Sequence, residues 1–276
     1  MDINIGDREN LSEKDRKKLT KPFSMFDVLR TLPRFQIDVL RSFWESGVYI
    51  GAYPILSRAP KGDGHAVMVI PGLGVNDLTT KMMRLFFERC GYKVFGWGQG
   101  INSHYNEDVT CELDRRLSDL FDQYGKISIV GQCFGGLYAL KLAHANPDMV
   151  RSVITLGTSL SDPLNADRLR WLYKLLNGQD QLNDLDNDIS ELSSDFPGRL
   201  PVPTTSFYTK TDGLIDWKSS ICDEIGQSEN IKIFTSHFGM GHNPLVLWAM
   251  ANRLAQPKQA WEPFNPTGWE KFFYKL

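Results

Sequence analysis

The sequence predicts an α/β fold: a mostly parallel sheet with helices on both faces, an inserted lid and an N-terminal helical arm. Three observations lead there. Apolar runs without polar alternation recur at 65–70, 127–130 and 153–156, as strands buried on both faces require. Amphipathic stretches of helical spacing separate them. The second run ends in Gly131-Gln132-Cys133-Phe134-Gly135-Gly136 and passes at once into Leu137-Tyr138-Ala139-Leu140. That is a sharp strand–turn–helix junction.

The elements follow in order. Residues 1–21 read as a polar leader rich in charge. A helical pair comes next, with Ser24 capping the first helix and Pro33 in the first turn of the second. Ile37, Leu40 and Trp44 share one face of it, with Phe43 alongside, while Arg34, Asp38, Arg41 and Glu45 fill the others. The pair reads as an arm packed on the domain, with membrane-surface docking or self-association as further uses of its apolar face. The first strand, 65–70, is broken by Pro71-Gly72-Leu73-Gly74. A helix over 79–90, a strand over 92–97 and a helix over 106–124 follow. The strand at 127–130, the helix after the junction, and a strand over 153–156 complete the first half.

Residues 160–200 interrupt the alternation. Their first half carries Leu169, Trp171, Leu172, Tyr173, Leu175 and Leu176, and their second half is acidic and rich in Asn. An insertion there reads as a lid over a site, with Trp171, Leu172 and Leu175 facing the substrate. Strands at 204–209 and 231–235, a helix from Asp216 and a last helix over 244–254 resume the pattern. An aromatic tail holds Trp261, Phe264, Trp269, Phe272, Phe273 and Tyr274. The chain thus divides into leader and arm (1–60), core (61–159 and 201–256), lid (160–200) and wrapping tail (257–276). In such sheets ligands sit beyond the carboxyl ends of the strands.

Composition excludes several classes. The net charge of -2 carries no basic footprint for nucleic acid. Cys90, Cys111, Cys133 and Cys222 are dispersed without a Cys-x-x-Cys pair, so neither a zinc site nor a redox motif is indicated and a reducing compartment fits. The charged N-terminus lacks the apolar core of a signal peptide, and no apolar run reaches transmembrane length. The cytoplasm is the expected location.

The chemistry centres on Cys133. Gly-x-nucleophile-x-Gly between strand and helix is a nucleophile elbow, whose tight turn demands small flanking residues. A thiol nucleophile needs a base and an orienting acid. Elbow enzymes on such sheets supply them in the chain order nucleophile, acid, histidine. Asp212, in Lys210-Thr211-Asp212-Gly213, follows the strand at 204–209 and suits the acid, while Asp216 reads better as a helix cap. His237 at the end of the last strand suits the base, ahead of His242 beside the final helix. His65 lies at the opposite edge, His144 deep in a helix, and His104 breaks the order. The oxyanion donors are expected from the backbone N–H of Phe134 and of Leu73.

These segments together resemble the α/β-hydrolase superfamily over about residues 65–256. They are most similar to its lipase/esterase-like bacterial branch, where a Pro-Gly loop, an elbow, a Thr-Asp-Gly turn and a Ser-His-x-Gly ending recur. That branch normally carries serine at the elbow. Cysteine resembles instead the dienelactone hydrolases, and the Gly-x-Cys-x-Gly-Gly box of polyhydroxyalkanoate synthases, with which the rest of the chain has little in common. The resemblance implies an acyl hydrolase acting on an apolar ester or thioester with a Cys133–His237–Asp212 triad and no metal or organic cofactor. An acyltransferase or polyester-synthase-like enzyme is the alternative, and a catalytically silent binding protein of the same fold is a second.

Two competing motifs fail on their own residues. Gly72-Leu73-Gly74 follows a strand, but the third glycine of a dinucleotide loop is Asp77. Asp184, Asp186 and Asp188 suggest a calcium loop, but its obligatory glycine is Ile189.

Overall fold

The computed structural model describes residues 25–160, 167–178, 200–257 and 260–274, with backbone alone over 25–32 and 167–171. Six parallel strands are ordered β2-β1-β3-β4-β5-β6. They are β1 (Ala66–Ile70), β2 (Lys93–Gly96), β3 (Ile127–Gln132), β4 (Val150–Leu156), β5 (Thr204–Tyr208) and β6 (Ser228–Lys232). The helices are α1 (Met25–Gly51), a short α2 (Tyr53–Leu56), α3 (Lys81–Arg89), α4 (Glu107–Tyr124), α5 (Phe134–Ala145), α6 (Asp167–Asn177) and α7 (Pro244–Leu254).

The pleat divides the apolar residues between two cores. Along β1, Ala66, Met68 and Ile70 face Leu113, Leu117 and Leu120 of α4 and Leu137 and Leu140 of α5. Val67 and Val69 face the opposite way, toward Phe86 and Phe87 of α3 and Val246, Leu247 and Met250 of α7. Every residue of β1 and β3 is buried, which is why these strands lack polar alternation. Phe264 and Tyr274 of the tail enter the second core, while Trp269, Phe272 and Phe273 remain exposed in part.

Several local expectations meet the structure with shifts of a residue or two at helix and strand ends. Asn106 caps α4 by accepting from the N–H of Asp108 at 2.8 Å. Asp77, where a dinucleotide loop needs glycine, accepts from the N–H of Trp97 and Gly98, both at 2.9 Å. It thereby ties the loop after β1 to the loop after β2. Asp216 caps only a single 3-10 turn, Trp217–Ser220, where a longer helix was expected.

Two expectations are corrected. The helical pair is one continuous helix, α1, with Pro33 inside it. A proline removes one N–H bond from a helix interior, yet here the packing of the following turns carries the helix through. The last strand ends at Lys232, so His237 lies five residues beyond the strand, at the start of a 3-10 turn Phe238–Gly241. Hydrogen bonds from α1, rather than strand pairing, hold that segment.

Candidate active site

The elbow is built by close backbone approach. Cys133 has φ 52° and ψ -121° and is the one non-glycine residue with positive φ among those described. Such a conformation costs about 1–3 kcal/mol and persists only where its surroundings over-determine it. Here the N–H of Cys133 donates to Leu156 O at 2.8 Å, and Cys133 O accepts from the N–H of Gly136 at 3.0 Å. A Cβ on Gly135 would come within 2.6 Å of Ile70 O, so the helix could not then reach the end of β1. Cys133 is thereby held at the N-terminus of α5.

His237 stands between the thiol and a carboxylate. Its Nδ1 lies 2.8 Å from Oδ2 of Asp212, and the Cys133 sulfur lies near enough to act on the charge of the ring. Both partners of the His–Asp pair are 2 % exposed in their side chains. Burial disfavours charge on the imidazole, but Asp212 and Cys133 outweigh it and hold its pKa well above that of a free histidine. Oδ1 of Asp212 accepts from the N–H of Leu214 and of Ile215, both at 2.7 Å, which fixes the carboxylate's other edge. Gly157 clears room for the ring, since a Cβ there would lie 2.9 Å from Nδ1.

The loop after β1 faces the elbow. A Cβ on Gly72 would lie 3.1 Å from that of Cys133. Asn102 fastens this loop: its Nδ2 donates to Pro71 O at 2.9 Å, its N–H to Val75 O at 2.9 Å, and its carbonyl accepts from the N–H of Gly74 at 2.6 Å. Leu73 is buried beside Cys133 and Phe134 in the same apolar cluster. The N–H of Phe134, in the first turn of α5, has no carbonyl behind it within the helix.

The lid helix α6 closes the apolar side. Tyr173 is fully buried in the cluster that holds Leu73, Cys133 and Phe134, and Leu172 packs against it. A Cβ on Gly74 would meet Cδ1 of Leu176 at 2.7 Å. Leu175, expected to face the substrate, is 65 % exposed instead. Tyr173 lies inward, and Leu176, 43 % exposed, reaches Gly74 from the rim, because α6 turns that side toward the loop after β1. The side chain of Trp171 lies outside the described residues, as do residues 179–199.

Sequence reasoning missed the contribution of α1. Asp38 is buried, and its Oδ1 accepts from the N–H of Gly213 at 3.0 Å and of His237 at 3.1 Å, while Oδ2 accepts from Phe238 at 3.2 Å. Burial raises the Asp38 pKa, opposed by His237 and these N–H groups. Two turns further along, Glu45 accepts from the N–H of Ser236 at 2.8 Å and from Thr235 Oγ1 at 2.7 Å. Phe35 meets Phe238 edge-on, with ring centroids 5.4 Å apart. The available signal was two acids at i and i+7 on a helix whose remaining face is apolar.

The other histidines are engaged elsewhere. His242 Nε2 lies 2.9 Å from Ser42 O on α1. His104 is exposed beside Ser103. His65 sits between Asp63, at 2.5 Å, and Ser128 Oγ, at 2.9 Å. The order Ser–His–Asp recurs there in space, but Ser128 is buried at the opposite end of the sheet and shares its hydroxyl with Ser152. It braces the strands. Among the described residues no cluster of three His, Cys, Asp or Glu is placed to hold a metal ion, and no described helix is long and apolar enough to cross a membrane.

Comparison with known proteins bears on the family and the fold. The family described as "Putative esterase" matches residues 66–262. No curated protein gives a match. A structure from work on LipS and LipT, two metagenome-derived lipolytic enzymes, is 13 % identical with a TM-score of 0.53, covering 71 % of this chain and 95 % of that one. A substituted form of PytH is 16 % identical with a TM-score of 0.50, covering 71 % and 99 %. At such identities the likeness is one of fold. The matched residues span well over half of the chain, and with its parallel sheet and elbow it belongs to this esterase family and has the α/β-hydrolase fold.

Proposed function

We propose that the protein is an acyl hydrolase of apolar esters or thioesters that works through a thioacyl-enzyme on Cys133. One observation carries this reading: the strained Cys133 at the helix N-terminus shares His237 with the buried Asp212. The Cys133 thiolate attacks the substrate carbonyl, forming the C–S bond. The oxyanion meets the N–H groups of Phe134 and Leu73, each such donor contributing about 3–4 kcal/mol. As the tetrahedral intermediate collapses, the bond to the leaving alkoxide or thiolate breaks, and His237 donates the proton. A water then gives its proton to His237 and its oxygen to the thioester carbonyl. The C–S bond breaks, the free acid leaves, and the proton restores the imidazolium beside the thiolate. Asp212 holds the ring in one tautomer throughout.

The test is intact and peptide mass spectrometry after brief incubation with a panel of acyl esters and thioesters. Expected is one acyl adduct, on the peptide of Cys133, absent in Cys133→Ala. Iodoacetamide should label Cys133 ahead of the other thiols near neutral pH, and His237→Ala should suppress that labelling. Burial raises the pKa of Cys90 and pushes that of Cys222 up to about 12, so the contest is with exposed Cys111. Full turnover by Cys133→Ala would overturn the proposal. An adduct that resists water yet passes to amine or thiol acceptors would show acyl transfer in place of hydrolysis.

A further inference from the structure

Helix α1 buries charge and exposes apolar side chains, the reverse of an ordinary surface helix. Asp38 and Glu45 point into the protein. Leu40, Phe43, Trp44 and Ile50 are 69 %, 73 %, 77 % and 74 % exposed, and Ile37 and Val48 lie along the same stripe. Between Pro33 and Gly51 the exposed polar residues are Arg34 and Gln36 alone. A contiguous apolar face of this kind marks a surface that something covers.

Charge decides what that is. The only acids between Pro33 and Arg58 are Asp38 and Glu45, both turned inward. Among the described residues of α1 the remaining charges are positive: exposed Arg34, and Arg41, whose guanidinium lies 4.9 Å from the ring centroid of the exposed Phe234; exposed Arg58 follows α2. Just ahead of the helix the sequence places Lys14, Arg16, Lys17, Lys18 and Lys21 around Asp15, while the acids Asp2, Asp7, Glu9 and Glu13 lie further toward the N-terminus with Arg8. A second copy of the chain would set these positive charges against each other across a two-fold axis. An anionic lipid surface takes both features: apolar side chains enter the acyl boundary, Trp44 sits at headgroup level and arginines meet phosphates.

We propose that α1 is an interfacial anchor that lays its outer face on an anionic membrane surface. The helix is already fixed to the domain by Asp38 and Glu45, so no folding has to accompany binding. The lid helix α6 packs beside it and carries an exposed apolar side chain of its own, Leu175.

The test is co-sedimentation of the full chain with phosphatidylcholine vesicles, with and without phosphatidylglycerol, alongside sedimentation equilibrium without lipid. Expected is a monomer that pellets with the anionic vesicles and weakly or not at all with neutral ones. Phe43→Glu/Trp44→Glu should weaken binding about tenfold or more, and Arg34→Glu several-fold, as should raising the salt to about 0.5 M. Trp44→Ser should weaken it to a smaller degree, and thermal unfolding of each variant should match the wild type. These readouts do not use enzyme activity, so they stand apart from the acyl-hydrolase reading. Failure to pellet with anionic vesicles, binding indifferent to these substitutions, or a lipid-free dimer that Phe43→Glu/Trp44→Glu dissociates would overturn the proposal.

Discussion

The carboxylate of Asp38 accepts a hydrogen bond from the backbone N–H of His237 at 3.1 Å, across 199 residues of sequence. The same carboxylate takes the N–H of Gly213, next to Asp212. One side chain on the N-terminal helix therefore joins the turn that carries the candidate acid to the turn that carries the candidate base. The matched family segment begins at residue 66, so this clamp comes from outside it. Asp38 is a positioning residue whose charge also lies in the field of the imidazole.

Asp38→Asn keeps the size of the side chain but removes its charge and opposes a donor to one of the N–H groups. We expect kcat to fall about ten- to a hundredfold with KM for a short ester little changed, since misplacement of a catalytic group acts on the transition state. Loss of the negative charge should also move the alkaline limb of kcat/KM to lower pH. Asp38→Ala leaves three buried N–H groups without this acceptor, at about 1–3 kcal/mol for each left unsatisfied, and should lower Tm sharply. An Asp38→Asn enzyme with wild-type kcat and pH profile would reduce the clamp to a stability element.

His237 should make stability depend on pH. Its native pKa lies above the ordinary value of about 6.5, so the folded state binds more protons than the unfolded state above that pH. The contribution is fully present below about pH 6.5 and is lost as pH rises through the native pKa. The Tm difference between wild type and His237→Gln should therefore be largest near the acid side of neutrality and shrink on the alkaline side. Thermal unfolding across about pH 6 to 9.5 checks this; a difference that grows with pH would mean the imidazole is held neutral. His242→Gln, whose ring bonds α1, should not reproduce the trend.

The lid helix should set the acyl preference. Each methylene buried contributes about 0.8 kcal/mol, or roughly fourfold in kcat/KM per carbon until the pocket is full. Leu172→Ala and Leu176→Ala should flatten that slope, because these side chains pack toward Cys133 and Gly74. Leu175→Ala should leave it unchanged, since Leu175 faces water. Equal slopes in all three variants, measured on a straight-chain ester series, would remove α6 from the acyl pocket.

The parallel sheet was legible in the sequence because burial on both faces leaves a plain mark. β1 is a continuous apolar run and β3 nearly so, its Ser128 bonded to His65 and Ser152, and such runs mark strands buried on both faces. The elbow was legible because its backbone tolerates so few residues: Gly131, Gly135 and Gly136 pack against backbone or Thr158 with no space for a Cβ. Asp212 and His237 were put forward on chain order and on placement at strand ends; the structure brings their side chains to 2.8 Å, with His237 five residues past its strand. The site's lining was less so. Leu175 and Leu176 are adjacent and chemically alike, and only the rotation of α6 leaves one 65 % exposed and brings the other, still 43 % exposed, against Gly74.

By itself the sequence determined the α/β fold, the sheet's buried strands, the cysteine at the strand–helix junction and the chain order of the groups that could serve it. These are local or periodic features, fixed by which residues a strand interior or a tight turn can hold. The tertiary structure alone decided that α1 is continuous through Pro33, that its acids face inward and that they hold the segment around His237 in place of a strand. The reason is physical: an acid on an amphipathic helix is read as a solvated residue until a second element brings unpaired N–H groups to it. Gly213, Ser236, His237 and Phe238 bring theirs from the other end of the chain. The same inward turn leaves Leu40, Phe43, Trp44 and Ile50 on the outside.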